Sequence, residues 1–200
     1  MAEKKQNVFK ILSRQYPNPK KVQGFLKTLT YNKEVECESV QSATTTLKTK
    51  TAHCLEATIL TAAILEQKGY PPLLLSLDSV DHLCHAIFVF KTKTGWGAVA
   101  KSREPGLHGR EPRFRSIRDL VWSYFDSFVD KTGRITGYAL LNLNDSNTDW
   151  RFSDKNLWKL EQFVVNAKHT KLKSSKARYL KAFHQYNKTG GTPRSGKFWW

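Results

Sequence analysis

Cys54 is the residue whose type and position best suit a nucleophile. It lies near the start of the stretch "HCLEATILTAAILEQKG", where apolar residues on many sides predict a buried helix that is capped by Thr51 and stops at Gly69. In the first turn of a helix, unpaired backbone N–H groups and the helix dipole favour an anion, so they lower the pKa of a thiol. The alternative is a structural role, because cysteine is among the most buried residue types.

A thiolate nucleophile also needs a base within reach. His85 begins the apolar run "HAIFVF" on the β-type segment that follows the helix, which makes it the candidate base. The N–H groups at the helix start are candidate donors to the oxyanion of a tetrahedral intermediate. One helix start could therefore activate the thiol and stabilise the intermediate.

The elements that must position this pair follow from apolar spacing and capping residues. Helices come first, antiparallel strands next and mixed elements last, which predicts an α+β domain. The predicted helices cover about 19–32, 40–47, 51–69, 116–128 (capped by Ser116) and 153–168 (capped by Ser153). The predicted strands are 73–77, 85–90, 96–100 and 137–143; a hairpin loop spans 91–95 and a basic loop spans 101–115.

Length and charge suggest a globular domain with a basic appendage. The chain has 200 residues and a net charge of +16. We divide it into an α+β domain over 1–165 and a C-terminal extension over 166–200, partly helical with a flexible tail. The extension carries nine Lys and Arg residues and no Asp or Glu. Such a block either keeps a protein soluble or attracts a polyanion, and charge alone does not decide between them.

Composition also bears on location and cofactors. No apolar run approaches the roughly 18 residues of a membrane span, and the first residues do not resemble a secretory signal. Three cysteines cannot all pair within one chain, which favours a reducing, cytoplasmic setting. No cofactor is predicted, and no metal site is predicted because CxxC and HxxxH spacings are absent.

The order of "HCLEATILTAAILEQKGYPPLLLSL", "HAIFVF" and "GWGAVAKS" in residues 51–102 resembles the core of the transglutaminase-like superfamily of papain-like thiol enzymes. In that superfamily a Cys begins the core helix, a His-Ala pair opens a strand, and a Trp-containing strand carries the acid of the triad. The resemblance implies a bacterial-type stand-alone protein with a papain/transglutaminase-like core, in which the nucleophile helix packs on an antiparallel β-sheet. It also implies Cys54 as nucleophile and His85 as general base and acid.

The resemblance favours His85 over His82. Ala86 follows His85, and the interval to Trp96 suits one β-hairpin. The two histidines are three residues apart on a strand, so they point to opposite faces and only one can meet Cys54.

The acid of the triad is missing from its expected place. The superfamily's acid lies a few residues beyond Trp96, where this chain has "GAVAKSR". Ser102 could orient the imidazole through its hydroxyl, whereas an inward Lys101 would disfavour the imidazolium. Asp78 or Asp81 could act from another direction. Three interpretations stay open: a Cys-His dyad with a non-acidic orienting group, a relocated acid, or a site retained for binding alone.

Two functions are therefore predicted. The first is thiol-dependent acyl transfer on the amide bonds of a peptide or protein, as a cysteine protease-like or transglutaminase-like enzyme, with an acidic substrate compatible with the basic loop. The second is a catalytically impaired fold that binds a polyanion such as nucleic acid through the basic loop and the C-terminal extension. The candidate contacts to substrate or polyanion are Trp96, Lys101, Arg103, Arg110, Arg113 and Arg115.

Overall fold

The computed structural model describes residues 2–33, 39–81 and 84–190; His82 and the end of the C-terminal extension lie outside these ranges. The helices in the described ranges are α1 (Ala2–Gln15), α2 (Pro19–Thr28), α3 (Ala43–Thr49), α4 (Cys54–Leu65), α5 (Ile117–Phe128), α6 (Trp158–Val165) and α7 (Lys176–Lys188). The strands there are β1 (Leu73–Ser79), β2 (His85–Thr92), β3 (Gly95–Val99), β4 (Arg110–Phe114), β5 (Ile135–Asn142) and β6 (Thr170–Lys171).

The strands form one antiparallel sheet, which confirms the α+β prediction. Within the described chain its order is β4-β3-β2-β1-β5-β6. Alternate residues of each strand point to opposite faces. Leu74 and Phe88 face a core that includes α4, while Leu75 and Ile87 face a core that includes α5.

Helix α4 is the buried centre of the first core, as its apolar pattern predicts. Every residue from Leu55 to Leu65 is buried, and the helix contacts α1, α2, α3 and β2. The prediction that Thr51 caps it is wrong. Thr51 is still extended, in a parallel bridge with Thr30, and the helix begins two residues later with His53 as its N-cap. Cys54 is therefore the first helical residue.

The segment predicted as a basic loop contains an additional strand. Arg110–Phe114 forms β4 at the edge of the sheet, with Trp96 opposite Phe114 and Ala98 opposite Arg110. An edge strand tolerates a proline such as Pro112, because the N–H that proline lacks is not needed on the outer side of the sheet. Gly97 permits this pairing, since a Cβ there would lie 2.9 Å from the Pro112 Cα.

The Ser116 cap is confirmed, whereas the Ser153 cap is wrong. Ser116 and Asp119 form a capping box at the start of α5. The Ser153 hydroxyl instead accepts from the Lys155 N–H at 3.0 Å, and α6 begins only at Trp158.

The described part of the C-terminal extension packs on the α5 side of the sheet. Within it, Thr170 and Lys171 pair with β5 as β6. Helix α7 follows, with Ser175 as its N-cap. Leu172 and Ala182 are buried in the second core. None of the described helices has the length and apolar character needed to cross a membrane.

Candidate active site

Cys54 stands at the N-terminus of α4, held there by a capping box. The imidazole Nδ1 of His53 accepts from the Leu55 N–H at 3.2 Å. The His53 N–H donates in turn to the Glu56 carboxylate at 2.9 Å. Because Nδ1 is an acceptor, the proton of the neutral ring lies on Nε2, 3.3 Å from the Ser39 carbonyl oxygen. Cys54 itself is partly exposed.

Glu56 ties this first turn to neighbouring segments. Its side chain is fully buried, a placement that a carboxylate tolerates only when hydrogen bonds satisfy it. It accepts from the N–H of His53, from the N–H of Gln41 at 3.0 Å and from the amide of Asn32 at 3.2 Å. These contacts fix the backbone on either side of Cys54.

His85 opens β2 and is buried, with only 4% of its surface exposed. Its Nε2 lies 2.9 Å from the main-chain oxygen of Leu107. A carbonyl oxygen can only accept, so Nε2 carries the proton and Nδ1 is the free base in the neutral ring. Nδ1 is thus the nitrogen left for Cys54, which lines the same pocket as His85.

The sulfur of Cys54 lies in surroundings that favour its thiolate. Burial by itself raises the pKa of the thiol. Hydrogen bonds with His53 and His85, together with the charge on these rings, outweigh burial and hold the pKa of Cys54 well below its ordinary value. His53, which is not among the predicted site residues, thus contributes to the same site.

The group that orients His85 is a main-chain oxygen. Ser102 lies in the same pocket, but its hydroxyl accepts from the Glu104 N–H at 3.0 Å. Asp81 accepts from the Ser79 hydroxyl at 2.6 Å and the Thr132 hydroxyl at 3.0 Å. The Leu107 carbonyl therefore takes the position next to the His85 ring that the resemblance assigns to a side chain. Any residue supplies such an oxygen, so no sequence signal could have identified it.

A pocket of about 240 Å³ opens on Cys54 and His85. Its charged lining consists of three carboxylates, from Asp81, Glu104 and Asp130, and one guanidinium, from Arg103. The described lining is thus locally acidic in a chain of strongly positive net charge. The other lining residues are Tyr31, Cys84, Ser102, Leu107, Ser127, Phe128 and Tyr186.

Two of the predicted cationic contacts are buried and structural. The Lys101 ammonium donates to the carbonyl oxygens of Leu26 at 3.1 Å and Leu29 at 2.7 Å, at the end of α2. Burial lowers the pKa of Lys101. Arg110 is also buried, with 3% of its surface exposed. Because both side chains are buried, neither can meet a ligand at the surface. The composition of the segment shows its charge, but it does not show the carbonyl oxygens that hold this charge inside the protein.

The remaining predicted contacts lie in different places. Arg103 lines the pocket with its guanidinium 5.8 Å from the Tyr31 ring. Arg113 and Arg115 are exposed on β4 and just beyond it. Trp96 lines a separate depression. Only Arg103 of these four lines the pocket that contains Cys54.

Cys84 and Tyr186 also line the pocket, although neither is among the predicted site residues. Cys84 is an exposed residue. The pKa of its thiol is raised because the sulfur is partly shielded from solvent and lies near the charges of Asp78 and Cys54. The two thiols thus have opposite pKa directions in one pocket. Tyr186 comes from α7, so the C-terminal extension contributes to the pocket wall.

A scan against models of known protein families gives no match for this chain, and a search of curated proteins gives none either. The likeness to the transglutaminase-like superfamily therefore rests on the motif order in residues 51–102.

Proposed function

We propose that this protein transfers acyl groups from amide bonds through a Cys54 thiolate and a His85 base. The observation that carries the proposal is the environment of the Cys54 sulfur, whose pKa is depressed at a helix N-terminus beside His85 in an open pocket. A structural cysteine in an apolar interior would have a raised pKa instead.

The proposed reaction begins with attack of the Cys54 thiolate on an amide carbonyl carbon. A C–S bond forms, and the carbonyl oxygen becomes an oxyanion that the Cys54 N–H can stabilise, since that N–H has no partner within the helix. The C–N bond then breaks as the protonated Nδ1 of His85 gives its proton to the departing amine. Water or a second amine attacks the thioester, its proton passes to Nδ1, and the thiolate leaves with the acyl group transferred.

The proposed site is a Cys-His dyad whose third member is the Leu107 carbonyl. This oxygen fixes the tautomer of His85, which is one role of the acid in a triad. The position of α4 against β2, with the hairpin partner β3 alongside, supports a papain/transglutaminase-like core. A free thiolate also fits the reducing cytoplasm best.

The proposed substrate is a peptide or protein amide with neutral or cationic groups near the scissile bond. Three carboxylates and one guanidinium line the described pocket, so its charge opposes an acidic substrate. This proposal differs from the acidic substrate that the basic loop suggests, because Lys101 and Arg110 are buried away from the surface.

Alkylation by iodoacetamide tests the nucleophile, with each thiol followed by peptide mass spectrometry between pH 5 and 10. We expect Cys54 to react faster than the more exposed Cys84 at pH 6–7, and His85→Ala to remove that advantage. Cys84 serves as the reference thiol of the same pocket. An ordinary thiol profile for Cys54 that His85→Ala leaves unchanged would refute the proposal.

Acyl transfer itself is tested by trapping the intermediate. The protein is incubated with a peptide mixture, quenched in acid and weighed intact, with and without a primary amine as acceptor. We expect an acyl adduct on Cys54 that Cys54→Ser abolishes. Comparison of lysine-containing and glutamate-containing peptides then tests the charge preference of the pocket.

A second candidate function, polyanion binding, is supported by another cavity. A cavity of about 590 Å³ beside β5 and β6 is lined by Arg134, Lys171 and Lys173, with Asp78 as an opposing charge. Binding of a single-stranded oligonucleotide should then weaken steeply with salt, and replacement of these three cations by Gln should reduce the slope. Gln variants of Arg113 and Arg115 form the matched control, and an equal effect in the control would contradict this location.

A further inference from the structure

We propose that Arg110 is a positioning residue for His85, acting through the loop that carries the Leu107 carbonyl. The inference rests on the proposed function of Cys54 and His85 and assigns a role to a cation that sequence reasoning placed at a ligand-binding surface. Arg110 touches no substrate in this scheme. It fixes the loop whose Leu107 carbonyl oxygen accepts the hydrogen bond from the His85 imidazole.

Arg110 donates hydrogen bonds to the loop on both sides of Leu107. Its Nη2 donates to the Gly106 carbonyl at 2.6 Å. Its Nη1 donates to the carbonyls of His108 at 2.8 Å and Gly109 at 3.1 Å. The residue before Leu107 and the two after it thus share one guanidinium, which leaves the Leu107 oxygen as the carbonyl of that stretch that meets His85.

The guanidinium is itself fixed from the side of α5. It donates to the hydroxyl and the carbonyl oxygen of Ser123, both at 3.3 Å. Its central carbon lies 3.9 Å from the centre of the Tyr124 ring, a stacked cation–π contact. The same ring meets the His85 imidazole edge-on at 6.4 Å. Arg110 and His85 therefore share one buried wall, the Tyr124 side chain.

The chemistry of this position requires arginine. A planar guanidinium offers five donors in a fixed fork and can stack on a ring while it serves several carbonyls, whereas an ammonium is a compact charge that does neither. Burial lowers the pKa of Arg110, which shows that the charge is held in the interior at a cost in solvation. The hydrogen bonds to carbonyl and hydroxyl oxygens offset that cost.

Loss of these bonds frees the loop and with it the His85 tautomer. Without an acceptor at Nε2, the ring also populates the form with its proton on Nδ1, which cannot take a proton from Cys54. A hydrogen bond to a charged group contributes enough to change the thiolate population about tenfold or more. We expect the alkylation rate of Cys54 at pH 6 to fall by about that factor in Arg110→Met.

The test compares Arg110→Met and Arg110→Lys with Arg151→Met in the full chain. Arg151 is a matched control because it also stacks on a ring, that of Trp150 at 3.7 Å, and donates to Glu66 at 2.6 Å. We measure thermal unfolding, the pH profile of Cys54 alkylation, and the ¹⁵N shifts of the His85 ring, which report its tautomer. Arg151→Met should lose stability alone, Arg110→Met should change all three readouts, and Arg110→Lys should fall between wild type and Arg110→Met.

A folded Arg110→Met with an unchanged His85 tautomer and alkylation profile would overturn the proposal. If that variant does not fold, Arg110→Lys and Ser123→Ala decide, and each should shift the tautomer in the same direction by a smaller amount; no shift in either overturns the inference. Failure of the proposed function is seen separately, in an alkylation profile that His85→Ala does not change.

Discussion

Acid should destabilise this protein through His108, which follows Leu107 in the loop beside the candidate site. Burial lowers the pKa of the His108 imidazole from 6.5 to about 4, more than the hydrogen bond with the Ala100 backbone raises it. The nearby charges of His85 and Lys101 contribute to this lowering. The folded protein therefore holds His108 neutral down to a pH at which an exposed histidine is already protonated.

The sign of the effect follows from which state binds the proton first. Between pH 6.5 and about 4 the unfolded chain has a protonated His108 while the folded protein does not, so stability falls as the pH falls through this window. The two pKa values differ by about 2.5, and each unit corresponds to about 1.36 kcal/mol. With some screening by solvent at this partly buried side chain, we expect a loss of about 2–3 kcal/mol between pH 7 and pH 4.

Urea unfolding at pH values from 7 to 4, followed by tryptophan fluorescence, measures this loss. The comparison is with His108→Gln, which keeps a polar side chain but cannot titrate, so that the contributions of all other groups cancel in the difference. The free energy of unfolding of wild type should fall more steeply with acid than that of the variant. Parallel curves for the two proteins would show that His108 is not held neutral by the fold.

Three further substitutions have direct structural expectations. Lys101→Met should cost about 1–3 kcal/mol in the free energy of unfolding, because two carbonyls at the end of α2 lose their donor, and should leave oligonucleotide binding unchanged in an anisotropy titration. Glu56→Gln should destabilise by a similar amount in urea, because an amide replaces the carboxylate that accepts from the His53 and Gln41 N–H groups. It should also slow Cys54 alkylation, because these hydrogen bonds hold the first turn of α4 in place. Gly97→Ala should cost about 1–3 kcal/mol and expose β4 to hydrogen exchange, since the new Cβ would lie 2.7 Å from the Phe90 ring.

Elements with strong local signals could be predicted from sequence. Helix α4 is apolar on many sides, the segments 85–90 and 96–100 are joined by a polar connector, and Ser116 with Asp119 marks the start of α5. In each case local preference and tertiary burial agree, so the pattern and the fold coincide.

Elements that depend on long-range contacts could not be predicted from sequence. β4 contains Pro112 and charged residues, and it is a strand only because β3 lies beside it at the sheet edge. The bridge between Thr30 and Thr51 delays the start of α4 and makes His53 the cap, a role more often taken by Ser, Thr, Asp or Asn. Propensity alone carries no information on either contact.

The candidate site likewise has residues that the sequence predicts and contacts that it does not. Cys54 and His85 line one pocket, a pairing that the sequence predicts from the helix start together with the resemblance of residues 51–102 to the transglutaminase-like core. The burial of Lys101 and Arg110 could not be predicted, since each cation is satisfied by main-chain oxygens from other segments. Every residue has such an oxygen, so the amino-acid sequence does not indicate which of them accepts a hydrogen bond from a buried cation.

A main-chain acceptor also changes what mutation at the expected acid position should do. If the Leu107 carbonyl orients His85, Ser102→Ala removes only a local bond to the Glu104 N–H, and the pH profile of Cys54 alkylation should stay as in wild type. Leu107→Ala should preserve it too, because the substitution keeps the carbonyl. The neutral oxygen stabilises an imidazolium less than a carboxylate would, so the helix N-terminus and His53 must carry more of the thiolate's stabilisation. A profile altered as strongly by Ser102→Ala as by His85→Ala would show that the hydroxyl, and not the carbonyl, orients the ring.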